Sequence, residues 1–308
     1  MSITIKTDAI SISQNLKYAV RDNLLSSFAT DSSDIDGILL FSLDDKFSFK
    51  EQAVITSGTY LKNLANGAES LTYFKSSNAG GDITFDTSVK AFDFSGVTVG
   101  VNGVRSTDSW LANEFNDQNK RFIFTTYVFI PSQSDWHAKN GGLLEFAGTT
   151  TEDQSVNQTE KLAALSFIHH PTEPSEYQIW ASFSRAEDAS GATTAIKYTA
   201  ASGDVNFPFG KWAQVSLVRD ATGNYLYIVS AKGVVKLTTA ATQTTGKNVT
   251  TPGNKITWGR GRAYTSAQTC KYKISRGFII NLNKNPISDI QAFLKSDWDR
   301  QVARGRIS

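Results

Sequence analysis

The chain has 308 residues, 40% hydrophobic and 11% aromatic, enough apolar surface to build a sizeable core. Its formal net charge of +2 is too small to imply nucleic-acid binding, and no run approaches 18 uninterrupted apolar residues, so no membrane-spanning helix is expected. Cys270 is the only cysteine, which rules out an intrachain disulfide and fits an intracellular origin or a protein stabilised by packing and assembly.

The N-terminal stretch Met1-Ser-Ile-Thr-Ile-Lys6 lacks a charged start followed by an apolar block, so no secretory leader is expected. After a short alternating segment, Ser11-Ile-Ser-Gln14 offers a capping box. Leu16, Val20, Leu24 and Phe28 then recur at helical spacing, giving one narrow apolar stripe. Thr30 to Gly37 ends it with turn residues. A lone amphipathic helix cannot bury its own face. Residues 1–36 are therefore read as an arm that docks on its own domain, another subunit or a larger assembly.

From Gly37 onward short strands dominate. They are expected at Ile38–Phe41, Ile83–Phe85, Ala91–Phe94, Arg121–Ile130, Leu143–Phe146 and Leu162–His169. Further strands are expected at Tyr177–Arg185, Trp212–Arg219, Tyr225–Ser230, Val234–Leu237, Lys255–Gly259 and Tyr272–Leu282. Arg121–Ile130 is apolar on both faces and should lie centrally. The segment from Gly210 to Thr239 reads as an antiparallel meander. Ala213, Val215, Leu217, Leu226 and Ile228 point to the core, and the two turns are Asp220–Asn224 and Ala231–Gly233. Near the C-terminus a second capping box, Ser288 to Gln291, opens a helix carrying Ile290, Phe293, Leu294 and Trp298. Strands without long intervening helices argue for an all-β, two-sheet antiparallel sandwich. No repeat or low-complexity linker divides residues 37–308, so one main domain is expected.

The order of these pieces resembles laminin-G-like, concanavalin A-type jelly rolls. In that family a Trp opens a strand, an Arg-Asp turn follows, and the next strand runs into a glycine turn. Here Gly210-Lys-Trp212, Arg219-Asp220, Gly223-Asn-Tyr-Leu-Tyr-Ile228 and Lys232-Gly233 match. Ile256-Thr-Trp-Gly259 resembles the following strand, and Arg276–Leu282 through Ile290 the closing strand and short helix. Gly37–Leu43 and Asn63–Gly67 are similar to the family's opening. The resemblance implies that Trp212 and Trp258 are structural. Its function stays open, because the fold hosts lectins, hydrolases, adhesins and structural modules. The plain, disulfide-free sequence is also similar to jelly rolls of bacteriophage virion proteins of the tail, baseplate or capsid surface.

Catalytic chemistry finds little support. Retaining glycosidases need two carboxyl groups about 5–5.5 Å apart, which on a strand means acids two or four residues apart. No expected strand has them: Glu145 stands alone, and Asp44-Asp45, Glu152-Asp153 and Glu187-Asp188 are adjacent pairs. His169-His170, with His137 the only other histidine, would face opposite sides of a strand, so no transition-metal site is expected. No serine carries a nucleophile-elbow glycine pattern. The family resemblance allows calcium at loop carboxylates such as Asp82, Asp86, Asp204 and Asp220; turn capping is the plainer role for them.

Glycan binding needs aromatic platforms flanked by amides and acids. Trp180 shares its strand face with Gln178, Ser182 and Ser184, which makes it the first candidate. Trp110, Trp136 and Tyr264 lie in polar loop contexts and are further candidates. Residues 1–155 carry 12 Lys/Arg against 19 Asp/Glu, whereas residues 156–308 carry 19 against 10. Such asymmetry aligns subunits, favours an acidic partner, or simply reflects an uneven solvated surface. The leading expectation is a non-enzymatic structural or attachment protein of a phage-like virion, assembled in the host cytoplasm. It would contact other virion proteins or copies of itself, with Leu16, Val20, Leu24 and Phe28 as the assembly arm. The alternative is a lectin-like module for host surface glycan, and a hydrolase or lyase is the third. No cofactor, nucleic acid or membrane partner is expected.

Overall fold

The computed structural model describes residues 22–28, 35–52, 55–67, 71–75, 80–97, 102–106, 110–116, 120–136, 141–146, 163–169, 176–184, 193–239, 255–260 and 271–307. Among them, β1 (Ile38–Ser42), β2 (Tyr60–Leu61), β3 (Leu71–Lys75), β4 (Thr84–Asp86), β5 (Ala91–Asp93) and β6 (Asn102–Ser106) precede helix α1 (Trp110–Glu114). Then come β7 (Phe122–Phe129), β8 (Gly141–Phe146), β9 (Ala163–His169), β10 (Glu176–Ser184) and β11 (Thr193–Ala201). The chain continues through β12 (Trp212–Arg219), β13 (Asn224–Ser230), β14 (Gly233–Thr238), β15 (Thr257–Arg260) and β16 (Lys273–Asn281) to helix α2 (Ile290–Ala303). The sequence had signalled neither β2, β3, β6 and β11 nor α1.

These strands form two antiparallel sheets stacked as a jelly-roll-type sandwich. The first runs β14-β13-β12-β7-β16-β5-β4, with β1 also paired to β16, and the second runs β11-β10-β9-β8-β15-β6-β3-β2. β7 sits centrally, as its two apolar faces require. Phe122, Phe124 and Val128 enter the core between the sheets, whereas Ile123 and Tyr127 point outward into a second apolar layer. The meander β12-β13-β14 forms as expected, and Ala213, Val215, Leu217, Leu226 and Ile228 all lie in the inter-sheet core. Asp220 shapes the first turn: its carboxylate accepts from the Thr222 amide and hydroxyl and from the Gly223 amide. Gly233 closes the second with φ +111°, a left-handed backbone that glycine adopts without a Cβ penalty.

Two contacts lock the sheets together. Trp258 of β15 is fully buried, stacks on Phe124, and donates from Nε1 to the Thr125 carbonyl at 3.1 Å. The facing residue is Gly277, where a Cβ would lie 2.3 Å from Trp258 Nε1 and 2.6 Å from the Phe41 ring. Arg219 of β12 makes the second tie, donating to the Ser184 carbonyl of β10 at 2.7 Å and to Asn224 at 2.9 Å. Burial pulls its guanidinium pKa down to about 10.

The outer face of the first sheet is roofed. Leu24, Leu25 and Ile35 from the N-terminal span and Ile290, Leu294 and Trp298 from α2 pack on Ile38, Leu40, Ile123, Val218, Tyr227, Phe278 and Ile280. Burying an aliphatic or aromatic side chain of this size stabilises by about 1.5–3 kcal/mol. At the centre of the roof Arg276, 2% exposed, binds Asp22 through two bonds of 2.6 and 3.1 Å and Asp297 through one of 3.4 Å. Tyr127 donates to Asp297 at 2.7 Å and accepts from Gln214 at 2.8 Å. Burial raises the Asp22 pKa, but the Arg276 charge, its hydrogen bonds and the Leu24 amide outweigh burial and hold the carboxyl below its usual range.

Two expectations are thereby corrected. Leu24 is fully buried and is not presented to a partner, and half-buried Phe28 packs edge-on against Phe293 of α2, so both lie against their own chain's second layer, one of the docking modes the sequence had left open. The described turn here is a single 3₁₀ turn, Leu25–Ser27, while Leu16 and Val20 lie outside the described residues. The N-cap of α2 is Asp289, whose carboxylate accepts from the Ala292 amide, and not Ser288. Asp presents its acceptor one residue closer to the first turn, and its charge complements the helix dipole.

Candidate functional site

The second sheet turns a different face outward. Along β10, Tyr177, Ile179, Ala181 and Phe183 enter the core, which leaves Glu176, Gln178, Trp180, Ser182 and Ser184 on the outside. On β11, Ile196 and Ala200 point inward, while Ala195, Lys197 and Thr199 are exposed. Register places Trp180 between Lys197 of β11 and Ser166 of β9, and Gln178 beside Thr199. The indole of Trp180 is half-buried, and the Lys197 ammonium lies 4.4 Å from its ring centroid. Gln178 is 5% exposed and donates to Glu176 at 3.1 Å, but its Oε1 has no hydrogen-bond partner. An aromatic face, hydroxyls and a cation thus share one open patch, with the Gln178 amide buried beneath it. It can stack a flat apolar surface and bind hydroxyl groups around it.

The sequence had grouped Trp180 with Gln178 and had missed Lys197, because β11 was not recognised. Its signal was present in Ala195-Ile-Lys-Tyr-Thr199, a short alternation between apolar and polar positions. The expected exposure of Trp136 is a correction: it is 4% exposed. It sits among Phe167, Tyr177, Phe207 and Phe209, with centroids 4.9–5.9 Å away. A bulky indole beside a cluster of rings gains more from burial than its polar neighbours in sequence suggested. Trp110 lies on α1 and not in a loop, half-buried with its ring edge-on to Phe115 at 6.1 Å. Tyr264 lies outside the described residues. Trp212 and Trp258 are buried, as the family resemblance implied.

A second concavity, an open cleft of about 730 Å³, lies between the β12–β13 turn, β14 and the start of α2. Most of its charges already have protein partners. Asp220 serves its turn, Asp289 caps α2, Lys295 pairs with Asp299 at 2.6 Å, and Lys236 hydrogen-bonds Tyr227. The loop carboxylates considered for calcium are likewise engaged: Asp82 with Lys75, Asp86 with Lys273, and Asp204 with the Asn206 amide. No cluster of three metal-ligating side chains occurs among the described residues. Asp86 and Asp93 approach each other across β4 and β5, but Lys273 lies between them at 2.6 and 3.4 Å, and its hydrogen bond holds the Asp86 carboxyl far below its usual range. Asp44 pairs with Arg306, while Asp45 accepts from the Phe47 amide. The side chain of His169, and His137 and His170 altogether, lie outside the described residues, as do Glu152, Asp153, Glu187 and Asp188.

No family model and no curated protein matches this sequence. Solved structures with a similar course include the botulinum neurotoxin serotype D binding domain (10% identity, 82% of this chain and 51% of that one, TM-score 0.47). Another is a Trypanosoma rangeli sialidase in complex with sialic acid (12% identity, 85% and 33%, TM-score 0.42). A third is the enzymatically active domain of bacteriophage CBA120 tailspike protein 2 (9% identity, 89% and 32%, TM-score 0.44). The chain thus spans about half the length of the toxin domain and about a third of the other two. With every score below 0.5, function is read from the chain's own residues.

Proposed function

We propose that this protein is a non-enzymatic carbohydrate-binding module whose site is the outer face of the second sheet at Trp180. The observation that carries the reading is one juxtaposition: a half-buried indole beside the exposed Lys197 and Thr199 on the open face of β10 and β11. The C–H face of a pyranose packs on an indole, and an exposed hydroxyl such as that of Thr199 on the same face can bond a sugar hydroxyl. The non-enzymatic part rests on the carboxylates of the described residues. Asp22 and Asp297 are spent on Arg276, and Asp86 and Asp93 on Lys273. A glycan array followed by titration calorimetry tests the reading: wild type binds at least one saccharide class, and Trp180→Ala weakens that binding by about tenfold or more. Retention of full affinity in Trp180→Ala, or release of cleaved products, overturns it.

Within that reading, the setting we propose is attachment: a phage-like particle displaying the module, with virion proteins or further copies of the chain as its contacts and the host cytoplasm as its place of assembly. The disulfide-free composition supports this setting. Mass spectrometry of purified particles from cells expressing the chain checks it, and absence of the chain from every particle fraction overturns it.

A further inference from the structure

We infer that the Trp180 site selects acidic saccharides, and that Lys197 is the residue that selects them. This rests on the reading of Trp180 as a sugar platform. The Lys197 ammonium lies 4.4 Å from the centroid of the Trp180 ring, on the surface that a bound sugar must occupy. Lys197 is exposed, and among the described residues no carboxylate pairs with it. The acidic residue on the same face of β10 is Glu176, four positions from Trp180 and about 13 Å along the strand at the usual rise. Glu176 is already bonded to Gln178.

A ligand therefore meets Lys197 before it meets the indole. A neutral sugar must push the ammonium off the ring and loses the cation–π attraction with nothing returned for it. An acidic sugar offers a carboxylate or sulfate group, and the four-carbon stem lets the ammonium swing from the ring face to that group. A charge-assisted hydrogen bond then replaces the attraction that was lost. The preference follows from this difference in exchange, not from the indole, which stacks on either sugar equally.

The test is calorimetric titration of the full chain with three oligosaccharides of equal length: neutral, uronate-containing and sulfated. Wild type is expected to bind at least one acidic oligosaccharide about tenfold more tightly than the neutral one at low salt, with the gap narrowing as salt is raised. Lys197→Gln is expected to abolish the preference by lowering the affinity for acidic oligosaccharides to that for the neutral one, and Lys197→Arg to retain it. The uronate and sulfate arms distinguish which acidic group is taken. Equal wild-type affinity for neutral and acidic ligands overturns the inference, as does a preference that survives Lys197→Gln. If Trp180→Ala abolishes binding while Lys197→Gln changes nothing, the platform stands and the selector falls. If wild type binds none of the three, both fall.

Discussion

The two outer faces of the sandwich are built from the same alternating strands and end differently. Outside the first sheet, Ile123, Val218, Tyr227 and Phe278 are roofed by the N-terminal span and α2, and the charges there are paired beneath that roof. Outside the second sheet, the β9–β11 end carries a half-buried Trp180, an exposed Lys197 and an acceptor without a partner. The difference shows in strand pattern. β12 and β13 are buried along both faces because both are covered, even where the outer face of β12 carries Gln214 and Ser216, whereas β10 and β11 alternate because one side meets solvent. Large side chains on a covered face hold the fold together, and the same side chains on the open face are available to a ligand.

The sharpest way to break this contrast is to remove the roof. Truncation of residues 1–28 takes away Leu24 and Leu25 and leaves Arg276 with Asp297 alone. Loss of a buried partner costs about 3–5 kcal/mol, and the exposed apolar surface adds to it. The truncated chain is expected to lose most of a stability that for domains is about 5–15 kcal/mol, seen as a collapse of the urea midpoint. A midpoint equal to wild type would mean that the span is a detachable arm after all.

Arg276→Ala isolates the centre of the roof and is expected to cost about 3–5 kcal/mol, because Asp22 is left buried without its bonded cation and Asp297 keeps only Arg300, at 3.4 Å. The same network sets a pH dependence. The Asp22 carboxyl is held below its ordinary value, so its contribution is intact above about pH 4 and drains away as pH falls through the folded-state value. Denaturation midpoints at neutral and acid pH check this. Asp22→Asn is expected to be less stable at neutral pH and to lose less on acidification, and an unchanged slope would remove Asp22 from the network.

Between the sheets, Trp258→Ala is expected to cost about 3–5 kcal/mol, since it removes a fully buried indole together with its bond to Thr125. Gly277→Ala adds a single carbon where Trp258 and Phe41 leave no room, and about 1–3 kcal/mol is expected for that overpacking. A neutral Gly277→Ala would show that the indole can shift, and that the sheets are less tightly locked than their contacts indicate.

Much of this was legible in the sequence, and the gaps have physical causes. The meander, the central β7 and the closing helix all carry strong periodicity or turn chemistry, while the structural Trp212 and Trp258 followed from the resemblance to laminin-G-like jelly rolls. β2 is too short to show a period, and β6 flanks its one core-facing apolar residue, Val104, with Asn102 and Ser106 on the same face. The roof was half-read. Helical spacing found the stripe of Leu24 and Phe28, but no local pattern says that Asp22 meets Arg276 more than 250 residues away. At the site, Trp180 and Gln178 were found from alternation within one strand. Lys197 was not, because cross-strand register is a tertiary fact. Trp136 was misplaced for the same reason, since its four ring partners lie on β9, on β10 and in the 207–209 loop.

The smallest stability effect is the most informative for function. Trp180→Ala removes an indole as large as that of Trp258, from a face that is half open. It forfeits the Lys197 cation–π contact, about 0.5–1 kcal/mol at exposed sites, and some partial burial. A total cost of about 1 kcal/mol is expected, a shift of a few degrees in Tm at most for a chain this long. Saccharide binding is expected to be lost over the same substitution. Parallel melting curves and titrations of Trp180→Ala and Trp258→Ala therefore separate the two kinds of tryptophan. If Trp180→Ala destabilises the protein as strongly as Trp258→Ala does, the β9–β11 end is a covered face like its counterpart, and Trp180 is structure and not site.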